Sequence, residues 1–310
     1  MPTVKSERAT SSSKKPAAKK ASSGYAASGI ANDFIDNRGF GLLIYGLEGV
    51  GKSLTACHAE RPIVIPHPQD HGVHKLRRSG LLPKDVVIGS DPEDWQHTLD
   101  ILDELAEGYG EDHDRKTVIM DYIGGVQSMC FDHCCEVDYG NDWSAKGFLS
   151  FQQGPGTAGK HHWPEVVRRW TSLQSVGMNV ILIGHAKTET YKNPEGEDYD
   201  RFVVDLHDFN SSGGIKGESI RKATYRWADS VIFLRHSIDV VTEDRKRAKA
   251  QGGDARIMCT QWSATYDAKN REKELSPVLG PYYSAEEAWD GYWKAIHPKA
   301  PVASKKPVRK

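Results

Sequence analysis

The feature that most constrains this chain is the stretch GLEGVGKS at residues 46–53, which fits the phosphate-binding loop pattern G-x-x-x-x-G-K-[ST]. The apolar residues 42–45 before it predict a buried strand, and residues 53–57 can continue as a helix. Glycines in the loop let backbone N–H groups approach a phosphate without Cβ clashes, and a helix start adds partial positive charge. This context predicts a nucleotide phosphate site, although so short a pattern also occurs in ordinary Gly-rich loops.

The loop residues have distinct expected roles in such a site. Lys52 is expected to reach the β- and γ-phosphates, and the Ser53 hydroxyl is expected to coordinate Mg²⁺. The residues predicted to contact the nucleotide are Gly46, Leu47, Glu48, Gly49, Val50, Gly51, Lys52, Ser53 and Leu54.

A second candidate magnesium ligand, Asp121, ends the apolar run at residues 116–121. An aspartate at the end of such a strand can order the magnesium ion and its water shell. The alternative is an ordinary strand that happens to end in a carboxylate. Following a phosphate-binding loop, the first interpretation is favoured.

Length and composition bound the class of protein. The 310 residues allow one large or two ordinary domains, and a hydrophobic content of 38% without an apolar run near 18 residues predicts a soluble protein with no membrane span. Five cysteines, an odd number, without a secretory signal indicate a reducing cytoplasm rather than a disulfide framework.

The net charge of -1 hides an uneven distribution. Residues 1–30 carry a net charge of +5, residues 298–310 carry another +5, and the segment between them carries -11. Both ends are poor in large apolar residues, so we predict a disordered basic arm at 1–30 and a disordered basic tail at 298–310. Such arms could contact nucleic-acid phosphates or act only as solubilising tails.

Strand-like and helix-like segments alternate along the rest of the chain. This alternation predicts an α/β fold with a mainly parallel sheet covered by helices on both faces. Residues 237–261 favour additional antiparallel strands towards the C-terminus, and residues 285–296 predict a final amphipathic helix. Two long polar segments, 138–162 and 186–200, lack clear periodicity and are predicted as loops.

A weaker pattern places Cys130, His133 and Cys134 at i, i+3 and i+4, with Cys135 adjacent. On a helix the first three would share a face and could bind zinc. A structural zinc site normally takes four ligands from separated pairs, and no second pair is evident. Buried free cysteines are therefore the favoured interpretation.

Several segments in the same order resemble the RecA-like P-loop ATPases encoded by many bacteriophages, often labelled ATP-binding proteins and related to single-strand annealing recombinases. The resemblance covers about residues 41–271. It rests on the phosphate-binding loop and on residues 117–121, 177–185, 194–201, 228–229 and 266–271. It implies a RecA-like P-loop NTPase core at 31–275, followed by a C-terminal helical extension at 276–297.

The resemblance implies roles for three further residues. His185 would sense the γ-phosphate from the tip of a core strand and signal to DNA-binding loops, where an isolated histidine would otherwise be read as a packing residue. Lys269 and Arg271 look like a K-x-R pair that reaches the nucleotide of a neighbouring subunit, which implies a homo-oligomer. A solvated charge pair in a turn is the alternative.

One departure from the family concerns the water-activating glutamate. Its usual place, after the strand that follows the phosphate-loop helix, reads PHPQD at residues 66–70. Asp70 or His67 could orient water, but neither fits the pattern cleanly. Nucleotide binding is therefore a safer expectation than rapid hydrolysis.

The resemblance thus implies an ATP- and Mg²⁺-dependent ATPase that acts on single-stranded DNA in recombination, annealing or repair, in the cytoplasm of a bacterium or phage-infected host. The alternatives are a non-hydrolysing, nucleotide-gated DNA-binding or scaffold protein and a P-loop kinase; a guanine-specific GTPase is disfavoured because no N-K-x-D stretch follows the loop. Cations interleaved with aromatics in the two polar segments suit stacking on bases, although mobile surface loops can look similar. These residues are Lys146, Phe148, Phe151, Lys160, Trp163, Lys187, Tyr191 and Lys192.

Overall fold

The computed structural model describes residues 38–209, 217–241, 249–271 and 275–297. The predicted arms at 1–30 and 298–310 lie outside these residues, and the predicted domain boundaries stay predictions. The strands are β1 (Gly41–Gly46), β2 (Pro62–Pro66), β3 (Val87–Ile88), β4 (Thr117–Asp121), β5 (Asn179–Tyr191), β6 (Tyr199–Val204), β7 (Ser230–Val241), β8 (Lys249–Cys259) and β9 (Val278–Tyr282). The helices are α1 (Lys52–Ala56), α2 (Gly72–Arg78), α3 (Trp95–Glu107), α4 (Ile123–Tyr139), α5 (Gln153–Thr157), α6 (Trp163–Ser175), α7 (Ile220–Trp227) and α8 (Ala285–Ile296).

One mixed sheet organises the described chain, with the order β3-β2-β4-β5-β1-β7-β8-β9. The six strands from β3 to β7 pair in parallel, and β8 and β9 add an antiparallel edge. Strand β6 pairs antiparallel with the outer half of β5. The predicted α/β class, the mainly parallel sheet and the antiparallel C-terminal strands are confirmed.

Alternation along β1 explains why helices cover both faces of the sheet. Leu43 and Tyr45 belong to a core that contains residues of α3, α4 and α6, whereas Leu42 and Ile44 belong to a second core with residues of α1 and α8. Successive side chains on a strand point to opposite faces, so a continuous apolar run builds both cores at once.

The prediction of a structureless loop at 138–162 was wrong. Helix α4 extends to Tyr139, and the segment then forms a 3-10 turn (Ser150–Gln152), α5 and a π-helical turn (Ala158–His162) that leads directly into α6. Phe148 is fully buried, and a Cβ on Gly154 would lie 2.3 Å from its ring. Contacts of this kind between an aromatic ring and glycine backbone leave no periodic signal in the sequence.

The second predicted loop, 186–200, is largely a hairpin. Strand β5 continues without interruption to Tyr191 and returns as β6, so that Thr188 pairs with Phe202 and Tyr191 with Tyr199. Cross-strand pairs of β-branched and aromatic residues stabilise such a ladder, while charged side chains on its exposed positions hide the strand pattern. Only the turn between Tyr191 and Tyr199 keeps the loop character that was expected.

Within the part of the chain that the structure describes, no helix combines the length and apolar character that a membrane crossing requires.

Candidate nucleotide-binding site

The central parallel strands end together at one edge of the sheet. Gly46 at the end of β1 lies in register with His185 of β5, and Asp121 at the end of β4 lies in register with Ile183. Crevices at the carboxyl ends of parallel strands are the usual ligand sites of α/β sheets. Here the crevice is a cavity of about 370 Å³. Its polar lining includes Glu48, Lys52, Ser53, Asp70, Asp121, His185 and Arg256.

The phosphate-binding loop needs its glycines for two different reasons. Gly49 and Gly51 have positive φ angles of 77° and 93°, which side chains with a Cβ rarely adopt. Gly46 has no room for a side chain, because a Cβ would lie 2.1 Å from the carbonyl oxygen of Leu234. The loop conformation therefore depends on glycine at these positions.

Lys52 is held inside this loop. Its Nζ donates to the carbonyl oxygens of Gly46 at 3.0 Å and Leu47 at 2.9 Å, and the residue is buried. Burial lowers the pKa of Lys52, while the nearby Asp121 carboxylate acts in the opposite direction. The loop thus places a cation where the charge of a phosphate would be neutralised.

Ser53 and Asp121 lie in contact although they are 68 positions apart in the sequence. The Ser53 hydroxyl lies close enough to the Asp121 carboxylate to favour its charged form, and Asp121 is only 4% exposed. Burial raises the pKa of Asp121 to about 6, and the Ser53 hydroxyl and the charge of Lys52 act in the opposite direction. A hydroxyl and a carboxylate are oxygen ligands of the kind Mg²⁺ prefers, so these two residues fit a magnesium site.

His185 is half-buried beside this pair. Its ring packs edge-on against Tyr122 with centroids 4.9 Å apart, and Tyr122 packs similarly against His67 at 5.6 Å. Burial, with a smaller contribution from Lys52, lowers the pKa of His185. Its buried Nδ1 has no hydrogen-bond partner, so the ring retains unused bonding capacity next to the loop.

The segment after β2 brings Asp70 to the same cavity. The backbone N–H of His67 donates to the Asp121 carbonyl at 2.8 Å, and the Nδ1 of His67 accepts from the N–H of Gln69 at 3.3 Å. Asp70 Oδ1 accepts from the N–H of Gly72 at 2.8 Å. The carboxylates that line this cavity are therefore Asp70, Asp121 and Glu48 of the loop itself.

Lys269 and Arg271 lie away from this cavity. They are near the amino ends of β7 and β1, whereas the cavity is at the carboxyl ends of the parallel strands. Lys269 Nζ donates to the carbonyl of Tyr225 at 2.8 Å and to that of Ala228 at 2.6 Å, at the end of α7. Arg271 pairs with Asp229 at 2.6 Å, and the Asp229 carboxylate accepts from the N–H of Gly41 at the beginning of β1. Within one chain the predicted K-x-R pair is thus not assembled with the phosphate-binding loop.

Arg256, which sequence reasoning missed, does contact the loop. Its Nε donates to the carbonyl oxygen of Val50 at 2.9 Å, and its Nη1 donates to that of Tyr283 at 3.3 Å. Arg256 lies on β8, whose sequence contains no recognisable nucleotide-binding motif. Its place beside the loop depends on the antiparallel return of that strand, so no local signal could have identified it.

The proposed DNA-contacting residues are divided by the fold. Phe148 and Trp163 are fully buried, so their predicted stacking role was wrong: they pack in the core beneath the segment. Phe151 is 80% exposed, and Lys146 and Lys160 are also exposed.

The β5–β6 hairpin contains the other proposed DNA-contacting residues. Lys187 pairs with Asp205 at 3.1 Å, Lys192 pairs with Asp198, and Tyr191 is 41% exposed. This hairpin also carries several acidic residues, namely Glu189, Glu195, Glu197, Asp198 and Asp200. Its charge is therefore unfavourable for contact with phosphates.

The zinc group considered from spacing is not formed. Cys130 and Cys134 are free and buried, as favoured, and among the described residues Cys130 and His133 do not converge with Cys134 on a common point. Cys134 instead lies close to Asp138 and His162. The helical repeat determines which residues share a face of α4. Contacts with the segment that ends at His162 determine which of those side chains lie close to another ligand.

The mixed α/β sheet, the glycine-dependent loop and the Lys52–Ser53–Asp121 group together define a nucleotide-binding P-loop domain. The chain belongs to the AAA domain family: the family model AAA_24 matches residues 38–272, about three quarters of the chain. No curated protein matches the chain.

Proposed function

We propose that this protein is an ATP- and Mg²⁺-dependent ATPase of RecA-like type that acts on single-stranded DNA. The observation that carries the ATPase proposal is the contact between Ser53 and the buried Asp121, beside Lys52. This arrangement joins a phosphate-binding cation to two magnesium ligands at one point. Asp121 is the last residue of β4, and Lys52 and Ser53 follow the loop that leaves the end of β1.

The phosphate end of the substrate would lie in the loop. Lys52 would bind the β- and γ-phosphate oxygens, and Ser53 and Asp121 would hold the magnesium ion directly or through water. Bound Mg²⁺ would neutralise charge that develops on the phosphate oxygens during transfer. A phosphate in the loop would also compete with the carbonyl oxygens of Gly46 and Leu47 for the Lys52 ammonium.

Asp70 is the residue we assign to the attacking water. It lines the cavity, and its carboxylate is anchored through one oxygen by Gly72. The other oxygen can accept a hydrogen bond from water and position it for attack. Glu48 lines the same cavity but lies on the loop itself, which makes it the matched comparison.

His185 is proposed to detect the γ-phosphate. It sits next in register to Gly46, and its Nδ1 is buried without a partner. A neutral imidazole can donate one hydrogen bond and accept another, so bound phosphate would supply the missing partner. His185 also begins the outer half of β5, and a shift at this point would move the β5–β6 hairpin.

The DNA proposal is supported by the segment between α4 and α6. Phe151 presents an almost fully exposed aromatic ring, with Lys146 and Lys160 exposed on the same segment. An exposed ring flanked by cations suits base stacking with phosphate contact. By family resemblance the biological role would be recombination, annealing or repair, and Lys269 and Arg271 would act across a homo-oligomer interface. Five buried free thiols favour the reducing cytoplasm as the location.

ATP hydrolysis by the wild type, Lys52→Ala and the exposed-residue control Lys84→Ala tests the ATPase proposal. Wild type and Lys84→Ala should turn over ATP in a Mg²⁺-dependent reaction, while Lys52→Ala should lose activity and keep its circular dichroism spectrum. Unchanged ATP affinity and turnover in Lys52→Ala would refute the assignment of the site. Tight ATP binding by wild type without turnover would favour the non-hydrolysing scaffold, and a phosphorylated small-molecule product would favour the kinase.

Single-stranded DNA binding by Phe151→Ala and Leu149→Ala tests the DNA proposal separately. Leu149 is 53% exposed on the same segment but has no ring. Loss of a stacking ring should weaken binding about tenfold or more, whereas Leu149→Ala should change it little. Equal affinity of both variants and wild type would exclude this segment as the DNA contact, without bearing on ATP hydrolysis.

A further inference from the structure

A cluster of three metal-ligating side chains lies outside the nucleotide site. Cys134 and Asp138 are four residues apart on α4, so they share a helix face. His162 reaches the same point from the end of the π-helical turn. Its Nε2 lies 2.7 Å from Asp138 Oδ2, and the Cys134 Sγ lies 3.5 Å from that same oxygen.

Coordination of one ion by all three residues requires one local change, because the 2.7 Å hydrogen bond between His162 Nε2 and Asp138 Oδ2 must open to about 3.3 Å. One ligand atom from each residue lies within 4.8 Å of the others. In a tetrahedral zinc site, bonds of about 2.3 Å to sulfur and 2.0 Å to oxygen place those two atoms roughly 3.5 Å apart. The Cys134–Asp138 separation already has this value, so a bound ion requires little movement of α4.

We propose that Cys134, Asp138 and His162 bind a zinc ion, with water as the fourth ligand. Thiolate, imidazole and carboxylate together are a ligand set of zinc, whereas Mg²⁺ and Ca²⁺ take oxygen ligands. The Asp138 side chain is 37% exposed, which gives the ion an entry path and leaves room for the water. Cys134 is buried and supplies the inner side of the site.

The zinc ion would link the two ends of the segment 138–162, which the sequence predicted as a loop. The sequence separation between Asp138 and His162 is 24 residues, and the chain between them carries the exposed Phe151. A hydrogen bond of 2.9 Å between Tyr139 Oη and Thr157 Oγ1 joins α4 to the same segment. A metal ion that joins the two ends of a chain segment restricts the alternative conformations of that segment. Zinc would thus hold the segment that presents Phe151.

Titration of the reduced full-length protein with zinc alone, in competition with a chromophoric chelator, measures stoichiometry and affinity. One zinc per chain is expected. Cys134→Ser and Asp138→Asn should each weaken zinc binding by at least about tenfold. Asp138 is partly exposed, so Asp138→Asn should also leave the fold intact. Cys130→Ser and Glu136→Gln are the controls: both change residues of α4 that are not ligands in the cluster, Glu136 at an exposed position, and both variants should bind zinc like wild type.

Cobalt(II) provides an independent readout of the ligands. In the wild type it should give tetrahedral d–d bands and a thiolate-to-cobalt charge-transfer band, and Cys134→Ser should lose the latter. Limited proteolysis between residues 139 and 161 should slow when zinc is added to wild type, but not when it is added to Asp138→Asn. Binding below one ion per chain, equal zinc affinity of Asp138→Asn and wild type, or cobalt binding without the charge-transfer band would overturn the proposal.

Discussion

The Nε of Arg256 donates a 2.9 Å hydrogen bond to the carbonyl oxygen of Val50, across a sequence separation of 206 residues. The antiparallel strand β8 therefore holds the phosphate-binding loop from outside. The Nη1 of the same guanidinium donates to the carbonyl of Tyr283, just before α8. One side chain thus ties the C-terminal part of the sheet to the loop at the nucleotide cavity.

Arg256→Ala should weaken ATP binding about tenfold, which is the effect expected for losing a hydrogen bond from a charged donor that positions the loop. Turnover at saturating ATP should change less, because Arg256 contacts the loop and not the two magnesium ligands. Arg235→Ala, a half-buried arginine on the neighbouring strand β7, is the control. Calorimetric ATP affinities that are equal for both variants would contradict a role for Arg256 in the site.

Asp70→Asn should lower kcat about a hundredfold and leave ATP affinity nearly unchanged, because an amide cannot accept the proton from attacking water. Asparagine retains the oxygen that accepts from Gly72, so the loop should keep its fold. Glu48→Gln is the comparison, with a small effect expected. Steady-state kinetics decide the assignment: a hundredfold loss in Glu48→Gln with none in Asp70→Asn would transfer the role to Glu48.

Arg271→Ala and Lys52→Ala should each be inactive alone and recover activity when mixed, if Arg271 completes the site of a neighbouring subunit. Random mixing in oligomers allows up to about a quarter of wild-type activity, since only some interfaces pair an intact loop with an intact arginine. Asp229→Asn is the control, because it removes the intramolecular partner of Arg271 and leaves the guanidinium in place. No recovery on mixing, together with an equal loss in Asp229→Asn, would make Arg271 a structural residue of its own chain.

Acidification below about pH 6.5 should destabilise the protein partly through His207. Burial, together with the charges of Lys187 and Arg221, lowers the pKa of His207 in the folded state, while Asp208 opposes this. Protonation then favours the unfolded chain, so the stability contribution is complete above the unfolded pKa and is lost as pH falls through the folded pKa.

Urea unfolding at several pH values between 5 and 8 measures this dependence. His207→Gln should show a shallower loss of unfolding free energy on acidification than wild type. His71→Gln, at an exposed histidine, should retain the wild-type slope. Identical slopes for all three proteins would show that His207 does not contribute.

Much of the nucleotide site could be predicted because its signals are local. The loop at 46–53 requires glycine, lysine and serine at fixed spacing, and β1 before it reads as an unbroken apolar run because both of its faces are buried. Asp121 could be placed at a strand end, and parallel strands bring such ends to one edge of a sheet. The contact between Ser53 and Asp121 follows from this rule. The prediction that His185 lies at the tip of its strand was wrong, because β5 continues past it to Tyr191.

Other parts of the molecule depend on contacts that leave no local pattern. In the sequence, Phe148 lies in a segment that is predicted as a loop. It is nevertheless a core residue, because the backbone of Gly154 packs against its ring. The outer half of β5 alternates polar residues and is a strand only because β6 returns to pair with it.

By itself, the sequence determined the phosphate-binding loop, the α/β alternation and the strand-end position of Asp121. These features depend on residues close together in the chain, whose backbone preferences and burial patterns repeat with the period of a helix or strand. Only the tertiary structure placed Arg256 against Val50. It also placed Lys269 and Arg271 near the amino ends of the central strands, away from the cavity. Finally, it brought His162 beside Cys134 and Asp138. Those contacts join distant segments, and their geometry is set by strand pairing and core packing, which no local spacing encodes.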